Sequence, residues 1–141
     1  MFTSAQRDAV DDLVGVKYAK GGRSRIEGFD CLTLAEAVYS IAGRVFPLPD
    51  DYGEDHIPAE AFLVWSQFFV QVDTPELLAV CSIDDQRRKG WAGAMRSKHL
   101  GVVVSPTMVI HARKSTGVVK SRIDTLRPFI GGYARLRGDD V

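Results

Sequence analysis

The sequence predicts an α+β domain, with N-terminal helices followed by a run of strands that form an antiparallel β-sheet. Helical periodicity and helix-capping residues dominate residues 1–43. Short β-branched and aromatic runs, separated by Pro, Ser, Gly or charged clusters, dominate from residue 68 onwards. The chain has 141 residues, of which 45% are hydrophobic and 26% charged. This length suffices for one buried core and is short for two, so we expect a single domain over residues 1–141.

The first helix is predicted within TSAQRDAVDDLVG, residues 3–15. Thr3 and Gln6 have the spacing of a capping box, and Gly15 suits a helix C-terminus. One face carries the apolar residues Val10, Leu13 and Val14. The following VKYAKGGRSRIEG, residues 16–28, is rich in Gly and charge and is predicted to be a loop.

The second helix is predicted to begin after Asp30, which suits the N-cap, and to end at Gly43. Phe29 and Leu34 are spaced to form a hydrophobic staple across its start. Its apolar stripe consists of Cys31, Leu34, Ala35, Val38 and Ile41. Residues 44–58 are then predicted to be a Pro-rich surface connection, and residues 59–67 a short helix.

Six strands are predicted in the remaining chain. They cover residues 68–72, 76–81, 100–105, 108–112, 117–123 and 131–137. Since strands follow helices rather than alternating with them, we expect the antiparallel sheet to pack against the second helix.

Cys31 lies where the second helix begins. A free cysteine on a helix stripe is usually a small buried hydrophobe. In the first turn, however, unpaired backbone N–H groups and the helix dipole favour the thiolate, which is the nucleophilic form. Cys81 ends an apolar strand and has no such setting, so we expect an unreactive thiol there. A disulfide between these two cysteines is not expected in a chain made in a cytosol.

A nucleophilic cysteine needs a base, and two of the three histidines lie in KHLGVVVSPTMVIHAR, residues 98–113. His99 would share a proton with Cys31, and His111 would orient His99 through its other ring nitrogen. The alternative is two ordinary strand histidines. His56, in an acidic loop, is expected to be a surface residue. A metal site formed by His99, His111 and Cys31 is a further alternative, but no fourth ligand stands at a short metal spacing. We expect neither a metal nor a cofactor.

Strand parity places the two histidines. If residues 105–107 form a three-residue hairpin loop, Val104 pairs with Met108 and Gly101 pairs with His111. His99 and His111 then share one face, and the opposite face is continuously apolar. A two-residue loop would instead send one imidazole to the core side.

The net charge of zero conceals a division along the chain. Residues 1–85 carry 6 basic and 15 acidic side chains, whereas residues 86–141 carry 12 basic and 3 acidic ones. Either the two parts attract each other within the domain, or the basic segment 86–98 contacts an anionic polymer or an acidic partner protein. Nucleic acid is not expected as a partner, because no Gly-rich aromatic motif or zinc-ligand spacing accompanies the basic residues. No membrane insertion is expected either, because no apolar run approaches about 20 residues.

Taken together, VKYAKGGRSRIEGFDCLTLAEAVY, KHLGVVV and VIHAR resemble the NlpC-type cell-wall peptidases, which are papain-like cysteine endopeptidases of bacteria and their viruses. The resemblance covers roughly residues 9–136. It implies a small papain-like α+β fold with the catalytic cysteine at a helix N-terminus. It also implies that Cys31 is the nucleophile, His99 the base and His111 the orienting residue, and that Tyr18 and Asp30 line the substrate cleft.

The implied activity is cleavage of a peptidoglycan stem-peptide amide, such as a γ-D-glutamyl-diamino acid bond, through a thioester. Leu32 and Thr33 stand where bacterial members usually have Ser-Gly, and the basic insertion before His99 is longer than usual. A bulky residue after the cysteine and the LPDDYG segment, residues 48–53, resemble versions encoded in phage and phage-like tail operons. We therefore expect synthesis in the bacterial cytoplasm without a signal peptide, assembly with tail-tip proteins and action in the cell envelope. The alternatives are a structural tail component with little activity and a papain-like amidase or acyltransferase.

Overall fold

The computed structural model describes residues 2–49, 64–87, 89–90 and 99–138. In chain order the elements are α1 (Ser4–Asp11), β1 (Arg23–Ser24), β2 (Gly28–Phe29), α2 (Cys31–Ile41), β3 (Phe69–Val72), β4 (Val80–Ile83), β5 (Leu100–Ser105), β6 (Met108–Arg113), β7 (Gly117–Arg122), α3 (Ile123–Leu126) and β8 (Ile130–Leu136). A 3₁₀ turn, Arg127–Phe129, separates α3 from β8. The predicted α+β class is confirmed.

Six strands form one sheet in the order β3-β8-β4-β5-β6-β7, and every neighbouring pair is antiparallel. The strands β1 and β2 form a separate two-stranded ribbon. The last strand, β8, therefore lies inside the sheet, between β3 and β4.

The helix α2 packs against β5 and β6, and this contact forms the larger core cluster. It contributes the buried side chains Cys31, Leu32, Leu34, Ala35, Val38 and Tyr39. Alternate residues of the two strands face it: Leu100, Val102, Val104, Ile110 and Ala112. Leu34 is 1% exposed, so replacing it with alanine would cost about 2–5 kcal/mol.

A second buried cluster covers the opposite face of the sheet. It contains Val103 and Val109 of the central hairpin, together with Ile123 and Leu126 of α3. Both faces of the central strands are thus covered, which accounts for strands that are buried at nearly every position.

The helix α1 begins as predicted, because the Thr3 and Gln6 side chains make the reciprocal bonds of a capping box. The prediction that Val10, Leu13 and Val14 share one helix face was wrong, because the helix ends at Asp11; Val10 and Leu13 are buried, whereas Val14 is 42% exposed. The chain leaves the helix to bond to β7: the Gly15 amide donates to the Val118 carbonyl at 2.9 Å, and the Val118 amide donates to the Val16 carbonyl at 2.8 Å.

The predicted strand ends match the structure to within one residue except at β4. This strand was expected over 76–81 and instead begins at Val80 and continues to Ile83. Leu78 has a φ of 68°, a left-handed conformation that interrupts an extended strand. Two elements were not predicted: α3, and the ribbon inside the expected loop 16–28.

Some expectations fall on residues that the structure does not describe. Residues 64–66 form a helical turn, but the first five residues of the helix predicted over 59–67 lie outside the described residues, as does His56. The same holds for Arg88 and for residues 91–98 of the basic segment. Within the described ranges, no helix combines the length and the apolar character needed to cross a membrane.

Candidate active site

The N-terminus of α2 places Cys31 in the first helical position, as predicted. One carboxylate oxygen of Asp30, Oδ1, accepts the Leu32 amide at 2.9 Å and the Thr33 amide at 2.8 Å. The Thr33 hydroxyl accepts the Asp30 amide at 3.0 Å, which completes a capping box. Cys31 is 5% exposed, so its thiol lies at the edge of the core rather than on open surface.

Leu32 and Thr33, the two residues that follow Cys31, both have structural partners. Leu32 is fully buried and belongs to the core cluster around α2. Thr33 is the reciprocal partner of the Asp30 cap. Both residues therefore have a structural role in holding the helix that carries Cys31.

Tyr18 lies beside Cys31 because the segment before the ribbon runs along Phe29. The Phe29 amide donates to the Lys17 carbonyl, and the Ala19 amide donates to the Phe29 carbonyl, both at 3.1 Å. Burial and, to a smaller extent, the negative charges that Cys31 and Asp30 carry when ionised raise the pKa of Tyr18 to about 12. The phenol is therefore protonated at neutral pH and can donate a hydrogen bond.

Asp30 also fixes the Gly-Gly turn of this segment. Its second carboxylate oxygen, Oδ2, accepts the Gly21 amide at 2.8 Å, and the Asp30 side chain is almost completely buried. The structure thus gives Asp30 the role of a cap and a loop anchor. A direct contact between Asp30 and a substrate stays a prediction.

The β5–β6 hairpin carries the two histidines in the predicted register, but it achieves that register differently. Gly101 pairs with His111 and Val103 with Val109, as expected. Ser105 then pairs with Met108, so the turn has two residues and the predicted Val104–Met108 pair is wrong. The register shifts between Val103 and Ser105. This β-bulge supplies the extra residue that was assigned to a longer loop, and it restores the parity that keeps both histidines on one face.

His99 and His111 form a ring pair, with centroids 5.5 Å apart and planes at 72°. Only glycine fits opposite His111, because a Cβ at Gly101 would collide with the Val109 side chain and lie 3.3 Å from the Cβ of His111. His111 is 1% exposed. The His111 ring lies on the face of β6 opposite the residues that contact α2, as the hairpin register requires.

Burial sets the protonation state of both rings. It lowers the pKa of His99 to about 4, with a smaller effect from the positive charge of Arg113. It lowers the pKa of His111 to about 3, with smaller effects from His99 and then Arg113. Both imidazoles are therefore neutral at neutral pH, and a neutral imidazole can accept a proton.

Ser121 of β7 is a site residue that was not identified from the sequence. Its Oγ lies 2.8 Å from Nε2 of His111. In the β6–β7 pairing, His111 is opposite Val119 and Val109 is opposite Ser121, so His111 and Ser121 are diagonal neighbours on one face. Applying strand parity to this second hairpin is the signal that could have found it.

The predicted site residues thus form two described groups. One is Cys31 with Tyr18 and Asp30 at the start of α2, and the other is His99 with His111 on the sheet. His99 immediately precedes β5 and so lies at the end of the sheet. The contact that would join the groups, between the Cys31 thiol and the His99 ring, stays a prediction.

Two further observations concern reactive and metal-binding groups. Cys81 is completely buried, and burial raises the pKa of its thiol to about 12. Among the described residues, no group of three His, Cys, Asp or Glu side chains is arranged to hold a metal ion.

Solved structures with a similar chain path belong to NlpC/P60 proteins. An NlpC/P60 family protein from Bacillus cereus ATCC 10987 aligns with 93% of this chain at a TM-score of 0.64 and 20% identity. The chain has the NlpC/P60 fold. The NlpC/p60 domain of the peptidoglycan hydrolase SagA aligns with 95% of the chain at a TM-score of 0.58 and 16% identity. A lipoprotein-like NLP/P60 protein from Staphylococcus aureus subsp. aureus Mu50 aligns with 96% of it at a TM-score of 0.59 and 17% identity.

The shared region differs in extent among these structures. The chain spans 39% of the Bacillus cereus protein and 42% of the Staphylococcus aureus protein, but 97% of the SagA domain. No family model and no curated protein matches the sequence. The likeness therefore establishes the NlpC/P60 fold, and the chemistry has to be argued from this chain's own residues.

Proposed function

We propose that this chain is a cysteine peptidase that cleaves an amide bond in peptidoglycan stem peptides. The observation that carries the proposal is the pair of buried, neutral imidazoles, His99 and His111, in a fold that also places Cys31 at a helix N-terminus. A thiol, a base and a group that orients the base are the three components of nucleophilic amide cleavage.

In the proposed reaction, His99 accepts the proton of the Cys31 thiol, and the sulfur attacks the carbonyl carbon of the scissile amide. The helix N-terminus favours the negative charge on sulfur. The C–N bond then breaks as His99 returns the proton to the leaving amine, which leaves a thioester on Cys31. Water, deprotonated by His99, attacks the thioester, releases the carboxylic acid and regenerates the thiol.

The choice of substrate rests on two supports. SagA, which contains a domain of this fold, is a peptidoglycan hydrolase. The sequence motifs around Cys31, His99 and His111 resemble those of cell-wall peptidases. The half-buried Tyr18 phenol, kept protonated beside Cys31, is proposed to donate a hydrogen bond to the stem peptide.

The test is mass spectrometry of muropeptides released from purified sacculi. The wild-type protein should produce new amino and carboxyl termini at one stem-peptide bond, and Cys31→Ala should produce none. Cys81→Ala is the matched control, since it removes the other thiol, and it should cleave like the wild type. Products carrying a new amide in place of a free carboxylate would favour the acyltransferase alternative. Unchanged sacculi would contradict the proposal.

The place of action is proposed to be the tip of a phage or phage-like tail, from which the enzyme would act in the cell envelope. The support is sequence resemblance: Leu32 after the cysteine and the LPDDYG segment are similar to tail-encoded versions. Co-purification of the tagged chain with tail proteins tests this location. The tagged Cys31→Ala variant serves as the catalytically inactive control and should co-purify in the same way. Recovery without tail proteins would contradict it, and tail association without cleavage of sacculi would favour the structural alternative.

A further inference from the structure

The hydrogen bond between His111 and Ser121 raises the question of which group donates. A neutral imidazole carries one N–H and one bare nitrogen, whereas a serine hydroxyl can donate or accept. If Ser121 donates, Nε2 of His111 is bare and Nδ1 carries the proton. If Ser121 accepts, Nε2 carries the proton and Nδ1 is bare. Toward His99, Nδ1 of His111 is therefore a hydrogen-bond donor in the first case and an acceptor in the second.

Only one polarity suits a base that becomes positively charged. After taking a proton at one ring nitrogen, His99 has an N–H at the other and needs an acceptor there. Nε2 of His99 and Nδ1 of His111 are both buried and have no hydrogen-bond partner among the described residues. The centroids of the two rings are 5.5 Å apart. These two nitrogens are therefore the ones that can form a hydrogen bond between His99 and His111.

We propose that Ser121 is a positioning residue, which accepts the Nε2–H of His111 and thereby keeps Nδ1 of His111 bare as the acceptor for His99. The effect of Ser121 on catalysis rests on the proposed peptidase function. The tautomer of His111 does not, because it is a property of the free protein. Ser121 does not contact the reacting atoms in this scheme. It acts through His111 alone, on the protonation pattern of the imidazole pair.

Nitrogen NMR of histidine-labelled protein tests the tautomer directly, because protonated and bare ring nitrogens give separate signals. In the wild type, the proton of His111 is expected on Nε2. In Ser121→Ala, the lost acceptor leaves a buried N–H unpaired, so a substantial population should move its proton to Nδ1. A wild-type proton on Nδ1, or an unchanged tautomer in a folded Ser121→Ala protein, would overturn the inference.

Kinetics on a defined stem peptide supply the second readout. Loss of the hydrogen-bond partner of a metal-binding histidine typically lowers activity about 10- to 100-fold, and we expect an effect of the same order here. We expect Ser121→Ala to lower kcat by this factor with KM nearly unchanged, and Ser121→Thr, which keeps the hydroxyl on a strand, to restore most of it. Ser115→Ala makes the same chemical change in the exposed β6–β7 turn and should leave both constants unchanged.

The two readouts separate the inference from the function it rests on. An inactive wild type with Nε2 of His111 protonated would contradict the peptidase proposal while the tautomer inference stands. An active wild type in which Ser121→Ala raises KM but keeps kcat would overturn the positioning role. Circular dichroism should first show that each variant folds, and Ser121→Thr provides the comparison if Ser121→Ala does not.

Discussion

Individual residues of the site differ in how far sequence reasoning could place them. The N-cap role of Asp30 was predictable because capping depends on a few neighbouring positions. Its second bond, to the Gly21 amide, was not, since it depends on how the preceding loop returns to the helix. Ser121 was missed for a related reason: its contact with His111 requires the register of the β6–β7 hairpin.

A ranking of the proposed catalytic residues tests their roles. Cys31→Ala should abolish turnover, and Cys31→Ser should nearly do so, because a hydroxyl has no accessible anion at neutral pH. His99→Ala should lose on the order of 10²–10⁴-fold, since one group serves as both base and acid. His111→Asn should keep measurable activity, because an amide can replace one hydrogen bond of an orienting group.

Steady-state turnover of a defined stem peptide by these variants, each shown to be folded, checks the ranking. If His99→Ala kept most of the wild-type rate while His111→Asn was inactive, the roles of base and orienter would be reversed.

The buried imidazoles also predict a pH dependence of stability. The pKa values of His99 and His111 are about 4 and 3 in the folded protein, against about 6.5 in an unfolded chain. Between these values the unfolded state binds more protons, so the free energy of unfolding should fall as pH drops below about 6.5. The slope is at most about 1.4 kcal/mol per pH unit for each histidine.

Urea unfolding at a series of pH values measures this slope. The double variant His99→Gln/His111→Gln should flatten it, while His56→Gln, at a position expected on the surface, should not. Equal slopes in the wild type and the double variant would show that the two rings titrate normally.

At the scale of elements, the strands and α2 were largely predictable because each has its own periodicity and end signals. The start of β4 was not predictable. The segment ELLAVC is apolar apart from Glu76, and nothing in it indicates that Leu78 adopts a left-handed conformation. The helix α3 has only four residues, too few for a periodic signal, and its first residue had been assigned to the preceding strand. The β5–β6 turn was predicted with the right parity but the wrong length.

The β-bulge in β5 makes a prediction about that hairpin. Val104 is the extra residue between the pairs Val103–Val109 and Ser105–Met108. Deleting Val104 should therefore close the bulge, leave the Gly101–His111 register unchanged and preserve the His99–His111 ring pair. Stability should fall by roughly 1–3 kcal/mol, because a buried valine is lost.

Nuclear Overhauser contacts between the two imidazoles measure the outcome. Deleting Val102 is the contrasting variant, since it removes a paired residue and should turn His99 to the other face. Loss of the ring contact in a folded Val104 deletion would show that the bulge does not set the parity.

On the scale of the whole molecule, the order of helices and strands predicted the α+β class, but not the order of strands in the sheet. β8 lies between β3 and β4, a pairing between distant parts of the chain that no local pattern reports.

The division of charge between the two parts of the chain corresponds to ion pairs in the structure. Ion pairs join Asp11 to Lys120 at 2.7 Å and Glu76 to Arg135 at 3.3 Å, which link the acidic and basic parts as one alternative expected.

These pairs are partly exposed, so each contributes at most about 1 kcal/mol and they account for only part of the basic charge. At the start of the basic segment, Arg87 lies over the Phe129 ring at 5.1 Å, and Lys89 donates to the Pro128 and Ile130 carbonyls at 3.2 and 3.1 Å. Both side chains therefore contribute to the fold. The contact of this segment with an anionic wall stays a proposal, and Arg96 and Lys98 are the positions at which to test it.

Retention of the inactive Cys31→Ala protein on purified sacculi should fall steeply between low and high salt if basic side chains mediate binding. The screening length shortens from about 30 Å at 0.01 M to about 3 Å at 1 M salt. Adding Arg96→Gln/Lys98→Gln should weaken low-salt retention and flatten its salt dependence. The control pair Lys114→Gln/Arg122→Gln removes the same charge from an exposed residue of the β6–β7 turn and an exposed residue at the end of β7, and should change retention much less. Equal losses for both pairs would indicate a general effect of net charge, and retention that is insensitive to salt would mean that the basic segment does not bind the wall electrostatically.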